Sequence, residues 1–188
     1  MSSPFSVLSM GMNYKPRFLF IMGFLTFFGL AAASHALELG DAAPAPTAID
    51  QDGAKVVFSD VYQKGVTLVY FYPKADTPGC TAEACSIRDS YADLSASGVQ
   101  VIGVSEDKAD SQKKFQDKYK LPFTLIADSD GAVAKAFQVP LMPLVNLAKR
   151  QSFIVKDGKI AWLDKNVVAK QHADDVRKAL ASLGVAVK

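Results

Sequence analysis

The chain has 188 residues, the length of a single domain with a small appendage. About half of the residues (49%) are hydrophobic and 21% are charged. This composition is typical of folded globular proteins and excludes an intrinsically disordered chain. The formal net charge of +2 is too small to indicate a polyanionic partner such as nucleic acid.

The first element in chain order is an apolar segment near the amino terminus. Two basic residues precede the uncharged run "FLFIMGFLTFFGLAAAS" at 18–34, and the following "SHA" fits the small-x-small site that signal peptidases read. We therefore predict that residues 1–36 are a cleaved secretory signal peptide and that residues 37–188 form the mature domain. An uncleaved membrane anchor is the alternative, because the run is close to the roughly 17 residues needed to span a bilayer.

Removal of this segment would change both the charge and the redox environment of the protein. It would take away Lys15 and Arg17 but no acidic residue, which leaves 19 of the 21 basic residues against 19 acidic ones. We therefore expect no nucleic-acid partner, and no membrane association after cleavage. Export, most simply to the periplasm, would also place the two cysteines where a disulfide can persist.

The mature chain alternates between strand-like and helix-like segments. Continuous β-branched and aromatic runs indicate strands buried on both faces, of which "VTLVYFY" at 66–72 is the clearest. Amphipathic segments that end at glycine or turn residues indicate helices. The predicted strands lie at 55–60, 66–72, 99–105, 122–128, 150–155 and 159–163, and the predicted helices lie at 81–98, 107–119, 132–137 and 172–183.

This order of elements predicts an α/β fold. Alternation of strands and helices favours parallel strands with helices on both faces, whereas a turn at Asp157-Gly158 joins the last two strands as an antiparallel hairpin. We therefore expect a thioredoxin-like fold, with a mixed central sheet flanked by helices, rather than a doubly wound one. Residues 37–48 are expected to form an extended lead-in, and residues 138–149 an irregular stretch.

Both cysteines lie in one short segment, "YPKADTPGCTAEAC". Cys80 follows the carboxyl end of a predicted central strand, the edge at which catalytic groups of α/β proteins collect. It also lies where the loop turns into a predicted helix, and at a helix start the dipole and free backbone N–H groups favour the reactive thiolate. Thr77 can direct its hydroxyl to the same point, and Pro73 and Pro78 stiffen the loop.

The spacing of the two cysteines distinguishes among the possible roles of the pair. Cys85 follows Cys80 by five positions, which in an α-helix correspond to about 7.5 Å of rise and roughly 140° of rotation. Because a disulfide bridges Cα atoms at most ~7 Å apart, a bond would require the first helical turns to unwind. This favours a redox cycle over a permanent structural disulfide. A metal site is disfavoured, because the mature chain adds only one histidine, His172.

The pattern Pro73-x-x-x-Thr77-x-x-Cys80, placed after the strand end "YFYP", resembles that of the peroxiredoxins. With a second cysteine five residues on, "YFYPKADTPGCTAEAC" is similar to their bacterioferritin-comigratory-protein or peroxiredoxin Q branch. The resemblance extends over the mature chain, through "GDAAPAPTAIDQDG", "GVQVIGVSEDK" and "KRQSFIVKDGKI". Pro46 departs from it, since the family usually has an aromatic residue at this point.

The resemblance implies a role for each residue of the motif. Cys80 would attack the O–O bond of a hydroperoxide, and Cys85 would then form an intramolecular disulfide with it. Thr77 would hydrogen-bond the thiolate and the peroxide, Arg150 would hold the thiolate and polarise the peroxide, and Pro73 would shield the site from water. These roles agree with the chemistry, because an anionic nucleophile and a leaving alkoxide both need cationic and N–H partners.

The leading hypothesis is an exported thiol peroxidase that reduces hydrogen peroxide and organic hydroperoxides. The resemblance implies a thioredoxin-like or glutaredoxin-like reductant, no cofactor and a monomeric state. One alternative is an exported thiol–disulfide oxidoreductase acting on protein substrates, although that class normally carries Cys-x-x-Cys, which this chain lacks. The other is a non-enzymatic binding domain with a structural disulfide.

Three further residues are expected to have ordinary structural roles. Glu83 is expected only to interact with the helix dipole, Trp162 to pack on the sheet, and His172 to be a solvated side chain at a helix start. The apolar segment at 139–147 fits two interpretations equally well, a partner surface or partial burial under the sheet edge.

Overall fold

The computed structural model describes residues 36–187. Except for Ala36, the predicted signal peptide (1–36) lies outside the described residues, so its cleavage stays a prediction. No helix within 36–187 is long and apolar enough to cross a bilayer. Seven strands and six helices follow one another in this range.

The observed elements follow the predicted alternation of strands and helices. The strands are β1 (Thr47–Ile49), β2 (Lys55–Val57), β3 (Thr67–Phe71), β4 (Gln100–Ser105), β5 (Thr124–Ala127), β6 (Gln151–Lys156) and β7 (Lys159–Asp164). The helices are α1 (Phe58–Tyr62), α2 (Pro78–Asp89), α3 (Tyr91–Ala96), α4 (Ala109–Tyr119), α5 (Ala132–Ala136) and α6 (His172–Ser182).

Strand β3 is the centre of a five-stranded mixed sheet. The strand order is β5-β4-β3-β6-β7, in which β3, β4 and β5 run parallel while β6 and β7 are antiparallel to their neighbours. All five residues of β3 are buried, because helices cover both faces of the sheet. Strands β1 and β2 form a separate antiparallel pair. The prediction of a mixed central sheet flanked by helices is therefore confirmed.

The side chains of β3 alternate between two hydrophobic cores. Leu68 and Tyr70 belong to the core that is formed with α2, α4 and α6. Val69 and Phe71 belong to the opposite core, which is formed with α1 and α5. Cys80 is part of the first core, so the cysteine segment packs directly on the central strand.

The strand predicted at 55–60 differs from the observed structure in its second half. It ends at Val57, and the chain continues at once as α1. Phe58 is fully buried in the second core, 6.0 Å from the ring of Phe137, and Asp60 lies in the first helical turn, where the dipole favours a carboxylate. Packing of the aromatic ring therefore ends the strand, which alternation in the sequence alone does not show.

The helix predicted at 81–98 begins earlier and is interrupted. It starts at Pro78, whose fixed φ suits the first helical turn, and it breaks at Ser90 into α2 and α3. The Ser90 backbone (φ −97°, ψ −3°) departs from helical values, and its N–H bonds to Ile87. The carbonyl of Ser90 then accepts from Leu94 and begins the second helix.

The loop between β3 and α2 is held by hydrogen bonds from residues near β4 and α4. The N–H of Ala75 donates to Asp107 (2.7 Å), and Lys118 and Tyr119 bind the carboxylate of Asp76 at 2.8 and 2.6 Å. Asp76 adopts a left-handed φ of 59°, which is unfavourable for most residues. These contacts stabilise that conformation and present the start of α2 in a defined position.

Candidate active site

Cys80 lies at the start of α2 and is almost completely buried, with 2% of its surface exposed. Thr77 is the N-cap residue, and Pro78 occupies the first turn, where a missing N–H breaks no helical hydrogen bond. Backbone N–H groups in this turn lack helical partners, and the positive end of the dipole lies there. Both features stabilise negative charge on the sulfur.

Thr77 and Pro73 belong to the loop that carries Cys80. The hydroxyl of Thr77 donates to the carbonyl oxygen of Lys74 (3.0 Å) and makes no side-chain hydrogen bond to the helix N–H groups. Pro73 follows the end of β3, and both side chains are half-buried. The catalytic roles that the resemblance implies for these two residues stay predictions.

Arg150 reaches Cys80 from the neighbouring strand of the sheet. It directly precedes β6, whose first residue, Gln151, pairs with Phe71 at the carboxyl end of β3. This antiparallel register brings together two residues that are 70 positions apart, and Nη2 of Arg150 donates to Sγ of Cys80 at 3.3 Å. The guanidinium places a permanent positive charge beside the sulfur.

The expectation that Glu83 only interacts with the helix dipole is wrong, because it lies beyond the first turn of α2 and is a site residue. It is completely buried one turn after Cys80, and its Oε2 accepts a hydrogen bond from Nη1 of Arg150 in an ion pair. Arg150 thus divides its two terminal nitrogens between a thiol and a carboxylate. Because a buried carboxylate is costly without a partner, this pair constrains the positions of both side chains.

The prediction of a solvated His172 is wrong, because α6 begins against the sheet and buries the imidazole completely. Its Nδ1 lies 3.0 Å from Oε1 of Glu83, and its Nε2 lies 2.8 Å from the hydroxyl oxygen of Ser152 on β6. Burial, and secondarily the positive charge of Arg150, lower the pKa of His172 to about 3. The ring is therefore neutral near neutral pH.

The buried face of α2 explains the different surroundings of the two cysteines. Cys80, Glu83, Ala84 and Ile87 recur at helical spacing and are all buried. Cys85 falls outside this face and is half-buried, and both cysteines are free thiols in a continuous helix. An acidic residue at a position of this otherwise apolar face is the sequence signal that would have identified Glu83.

Within 36–187, no group of three or more His, Cys, Asp or Glu side chains is arranged to bind a metal ion.

Comparison with known sequences identifies relatives over most of the chain. A model of the AhpC/TSA family matches residues 39–163. The chain is 42% identical over 146 residues to the chloroplastic peroxiredoxin Q of Oryza sativa subsp. japonica, over 77% of this chain and 67% of that protein. It is 40% identical over 146 residues to peroxiredoxin Bcp of Escherichia coli strain K12, over 74% of this chain and 93% of that protein.

Solved structures of the same group share the fold. Peroxidoxin BcpB from Mycobacterium tuberculosis has a TM-score of 0.73 and 30% identity, over 78% of this chain and 98% of that chain. A mutant of peroxiredoxin Q from Xanthomonas campestris has a TM-score of 0.71 and 27% identity, over 80% of this chain and 99% of that chain. The predicted thioredoxin-like fold and the predicted resemblance are thus confirmed. The chain belongs to the AhpC/TSA family, as a thiol peroxidase of its peroxiredoxin Q and Bcp group.

Proposed function

We propose that the protein reduces hydrogen peroxide and organic hydroperoxides, with Cys80 as the peroxidatic cysteine and Cys85 as the resolving cysteine. The observation that carries the proposal is the contact between Nη2 of Arg150 and Sγ of Cys80 (3.3 Å) at the start of a helix. A thiolate held by a cation and by helix N–H groups is an activated nucleophile. The same donors suit the negative charge that develops on the leaving oxygen.

In the first step, the Cys80 thiolate attacks one oxygen of the hydroperoxide. An S–O bond forms as the O–O bond breaks, so the sulfur is oxidised to a sulfenic acid and the peroxide is reduced. The leaving oxygen takes up the proton that the thiol released, and it departs as an alcohol, or as water when the substrate is hydrogen peroxide. Arg150 supplies the positive charge for this step.

Thr77 and Pro73 are assigned to orienting the peroxide and to shielding the site from water. The hydroxyl hydrogen of Thr77 is donated to the carbonyl of Lys74, which leaves the hydroxyl oxygen as an acceptor for a peroxide O–H. Pro73 has no N–H, so it offers no competing donor at the entrance of the loop. Its half-buried ring lies two residues after the end of β3.

In the second step, the Cys85 thiol attacks the sulfur of the Cys80 sulfenic acid. An S–S bond forms and the S–O bond breaks, and the hydroxyl leaves as water with the proton from Cys85. Five helical positions separate the two Cα atoms by about 7.5 Å of rise, which exceeds the ~7 Å that a disulfide bridges, so the first turns of α2 unwind before the sulfurs meet. A thioredoxin-like or glutaredoxin-like dithiol then supplies two electrons and restores both thiols.

The substrate class has support from a related protein. The bacterioferritin comigratory protein of Xanthomonas campestris, which has a TM-score of 0.70 and 26% identity over 78% of this chain, has alkyl peroxide reduction activity. This supports organic hydroperoxides as substrates here. We further propose that residues 1–36 direct export to the periplasm, with an uncleaved membrane anchor as the alternative, and that the mature protein acts as a monomer.

Stopped-flow mixing of the reduced protein with one equivalent of peroxide tests the proposed function. Fluorescence of Trp162, the single tryptophan, and mass spectrometry report the two steps. We expect a fast phase that depends on peroxide concentration, then a phase independent of it that ends in the disulfide. Cys80→Ser should abolish both phases, and Cys85→Ser should retain the first and accumulate sulfenic acid.

Other outcomes would favour the other two hypotheses. Slow reaction with peroxide combined with fast disulfide exchange on protein substrates would support the thiol–disulfide oxidoreductase. A protein that reacts with neither the peroxide nor the protein disulfides would support the non-enzymatic binding domain. A fast peroxide phase that persists in Cys80→Ser would contradict the assignment of the peroxidatic cysteine.

A further inference from the structure

The first two turns of α2 contain few features that stabilise a helix. Thr77 makes no capping hydrogen bond to the helix N–H groups, and no acidic residue lies in the first turn. Gly79 disfavours the helical state by about 1 kcal/mol relative to alanine. The core-facing side chains of Cys80 and Ala84 are small, so the first large apolar side chain that anchors the helix is Ile87.

Glu83 links this weak segment to the rest of the molecule. Its carboxylate binds Arg150, which precedes β6, and lies against His172 at the start of α6. Glu83 is inside the segment 80–85 that must unwind before the two cysteines can join. Its contacts with two other elements must therefore break or rearrange each time the disulfide forms.

Ser152 and Glu83 together determine which nitrogen of His172 carries the proton. In a neutral imidazole one nitrogen donates and the other accepts. When the Ser152 hydroxyl donates to Nε2 (2.8 Å), the proton is on Nδ1, which faces Oε1 of Glu83 at 3.0 Å. The opposite tautomer would direct the lone pair of Nδ1 at a carboxylate, which is repulsive.

The alignment of His172 with Glu83 is close to a hydrogen bond but does not complete one. Within the described part of the chain, Nδ1 of His172 and Oε1 of Glu83 have no hydrogen-bond partner of acceptable angle, although 3.0 Å separates them. Both atoms are buried, so each needs the other in place of water. Their separation of 3.0 Å is within hydrogen-bond distance, so a neutral imidazole with its proton on Nδ1 can act as the donor to this carboxylate.

We propose that His172 is a positioning residue which, through Glu83, holds the first turns of α2 in the peroxide-reactive arrangement and so slows the resolving step. The inference rests on the proposed function, because it concerns the disulfide between Cys80 and Cys85. In the helical form, the buried carboxylate needs the imidazole as a partner. In the unwound form, it reaches water, so the contact stabilises the helical form alone and raises the cost of unwinding.

The fate of the sulfenic acid depends on this cost. Cys80 sulfenic acid either condenses with the thiol of Cys85 and releases water, or it reacts with a second hydroperoxide. In the second case one oxygen is transferred to the sulfur, which becomes a sulfinic acid, and the peroxide leaves as an alcohol or water. Slower unwinding gives the second reaction more time. The contact of His172 with Glu83 therefore sets how readily excess peroxide inactivates the enzyme.

Three variants of the full-length protein test this inference. His172→Phe keeps a ring of similar size and removes the donor, His172→Asn keeps a donor at the position of Nδ1, and Ser152→Ala removes one of the two groups that determine the tautomer. In stopped flow, we expect the disulfide step to be about tenfold faster in His172→Phe, near the wild-type rate in His172→Asn, and intermediate in Ser152→Ala.

Sulfinic acid formed in excess peroxide, measured by intact mass, should decrease as the disulfide step accelerates. The peroxide-dependent step should change much less, because Arg150 keeps its contact with Cys80.

Val176→Ala is the matched control, because Val176 is fully buried in α6 one turn after His172. This variant weakens the apolar packing of the same helix and leaves the imidazole in place. Equal acceleration in Val176→Ala, or an unchanged disulfide step in both His172→Phe and Ser152→Ala, would overturn the inference. A wild-type protein that forms no disulfide would reject the proposed function and the inference together, whereas a normal disulfide at a rate independent of His172 rejects only the inference.

Discussion

Arg150 uses the two ends of its guanidinium for two different partners. Nη2 contacts Sγ of Cys80 at 3.3 Å, and Nη1 binds the carboxylate of Glu83. The planar fork keeps the cation beside the sulfur at a defined angle, and the carboxylate opposes its rotation away from the site. A lysine carries the same charge on a single nitrogen, so it cannot serve both partners with this geometry.

We predict that Arg150→Lys lowers the second-order rate constant for peroxide by about 10²-fold. The positive charge is retained, so the loss of rate reports the geometry of the donor rather than the sign of its charge. Stopped-flow oxidation of the reduced protein measures it. Lys149→Ala, at the exposed neighbouring position, is the control and should react at the wild-type rate. A wild-type rate in Arg150→Lys would mean that positive charge alone is sufficient.

At the level of elements, α2 is the helix that the reaction must change. Its two cysteines are free thiols on different faces of one continuous helix, and Cys80 is on the buried face. We predict that formation of the disulfide lowers the helix content by about two turns, or roughly seven residues, because the backbone between the cysteines must unwind. Far-ultraviolet circular dichroism before and after one equivalent of peroxide measures the change.

Cys85→Ser provides the control for this measurement, since it can be oxidised at Cys80 but cannot form the disulfide. Its spectrum should stay that of the reduced protein after the same treatment. Identical spectra of the reduced and the disulfide forms of the wild type would show that the two sulfurs meet without unwinding.

The two ends of the segment at 138–149 are anchored to the rest of the fold, and this holds Arg150 in position. Val139 and Ala148 are buried, and the N–H of Ala148 donates to Glu106 at 3.0 Å, which anchors the chain two residues before Arg150. Leu144, in the middle, is fully exposed. The interpretation of partial burial therefore describes the ends of this segment, and a partner surface in its middle stays a prediction.

At the level of the whole molecule, His172 links folding to proton binding. Glu83 of α2, Arg150 before β6 and the ring of Tyr70 in β3 all face it, so a charged imidazole would be buried among three elements. Its pKa is about 3 in the folded protein against an ordinary value of 6.5. The unfolded chain therefore binds a proton that the folded chain does not, and stability from this group is lost as the pH falls from about 6.5 towards 3.

We predict that this group lowers the free energy of unfolding by about 2 kcal/mol between about pH 7 and about pH 5. Urea denaturation at the two pH values measures the change. His172→Asn has no titrating ring. Over the same interval its free energy of unfolding should therefore fall by about 2 kcal/mol less than that of the wild type. Equal losses in the two proteins would assign the pH dependence to other groups.

The elements that carry the site could be predicted because their patterns are local. The β-branched and aromatic run of β3 identifies a strand buried on both faces, and the turn at Asp157-Gly158 identifies the hairpin of β6 and β7. Helix α1 and the break at Ser90 could not be predicted in this way. Both depend on how side chains such as Phe58 pack against elements that are distant in the sequence.

By itself, the sequence determined the kind of chemistry, through two thiols five positions apart and a Pro-Thr-Cys loop after a buried strand. The start of a helix beside Cys80, and the share of thiol activation that comes from the helix N-terminus, depend on neighbours along the chain, so local pattern was sufficient for these two features. Only the tertiary structure decided which charges meet at Cys80. The register of β6 on β3 joins Arg150 to Cys80 and to Glu83, across 70 and 67 positions, and the packing of α6 buries His172 against the same carboxylate. Such pairs form only when burial removes water and leaves each charge to the partners that packing supplies.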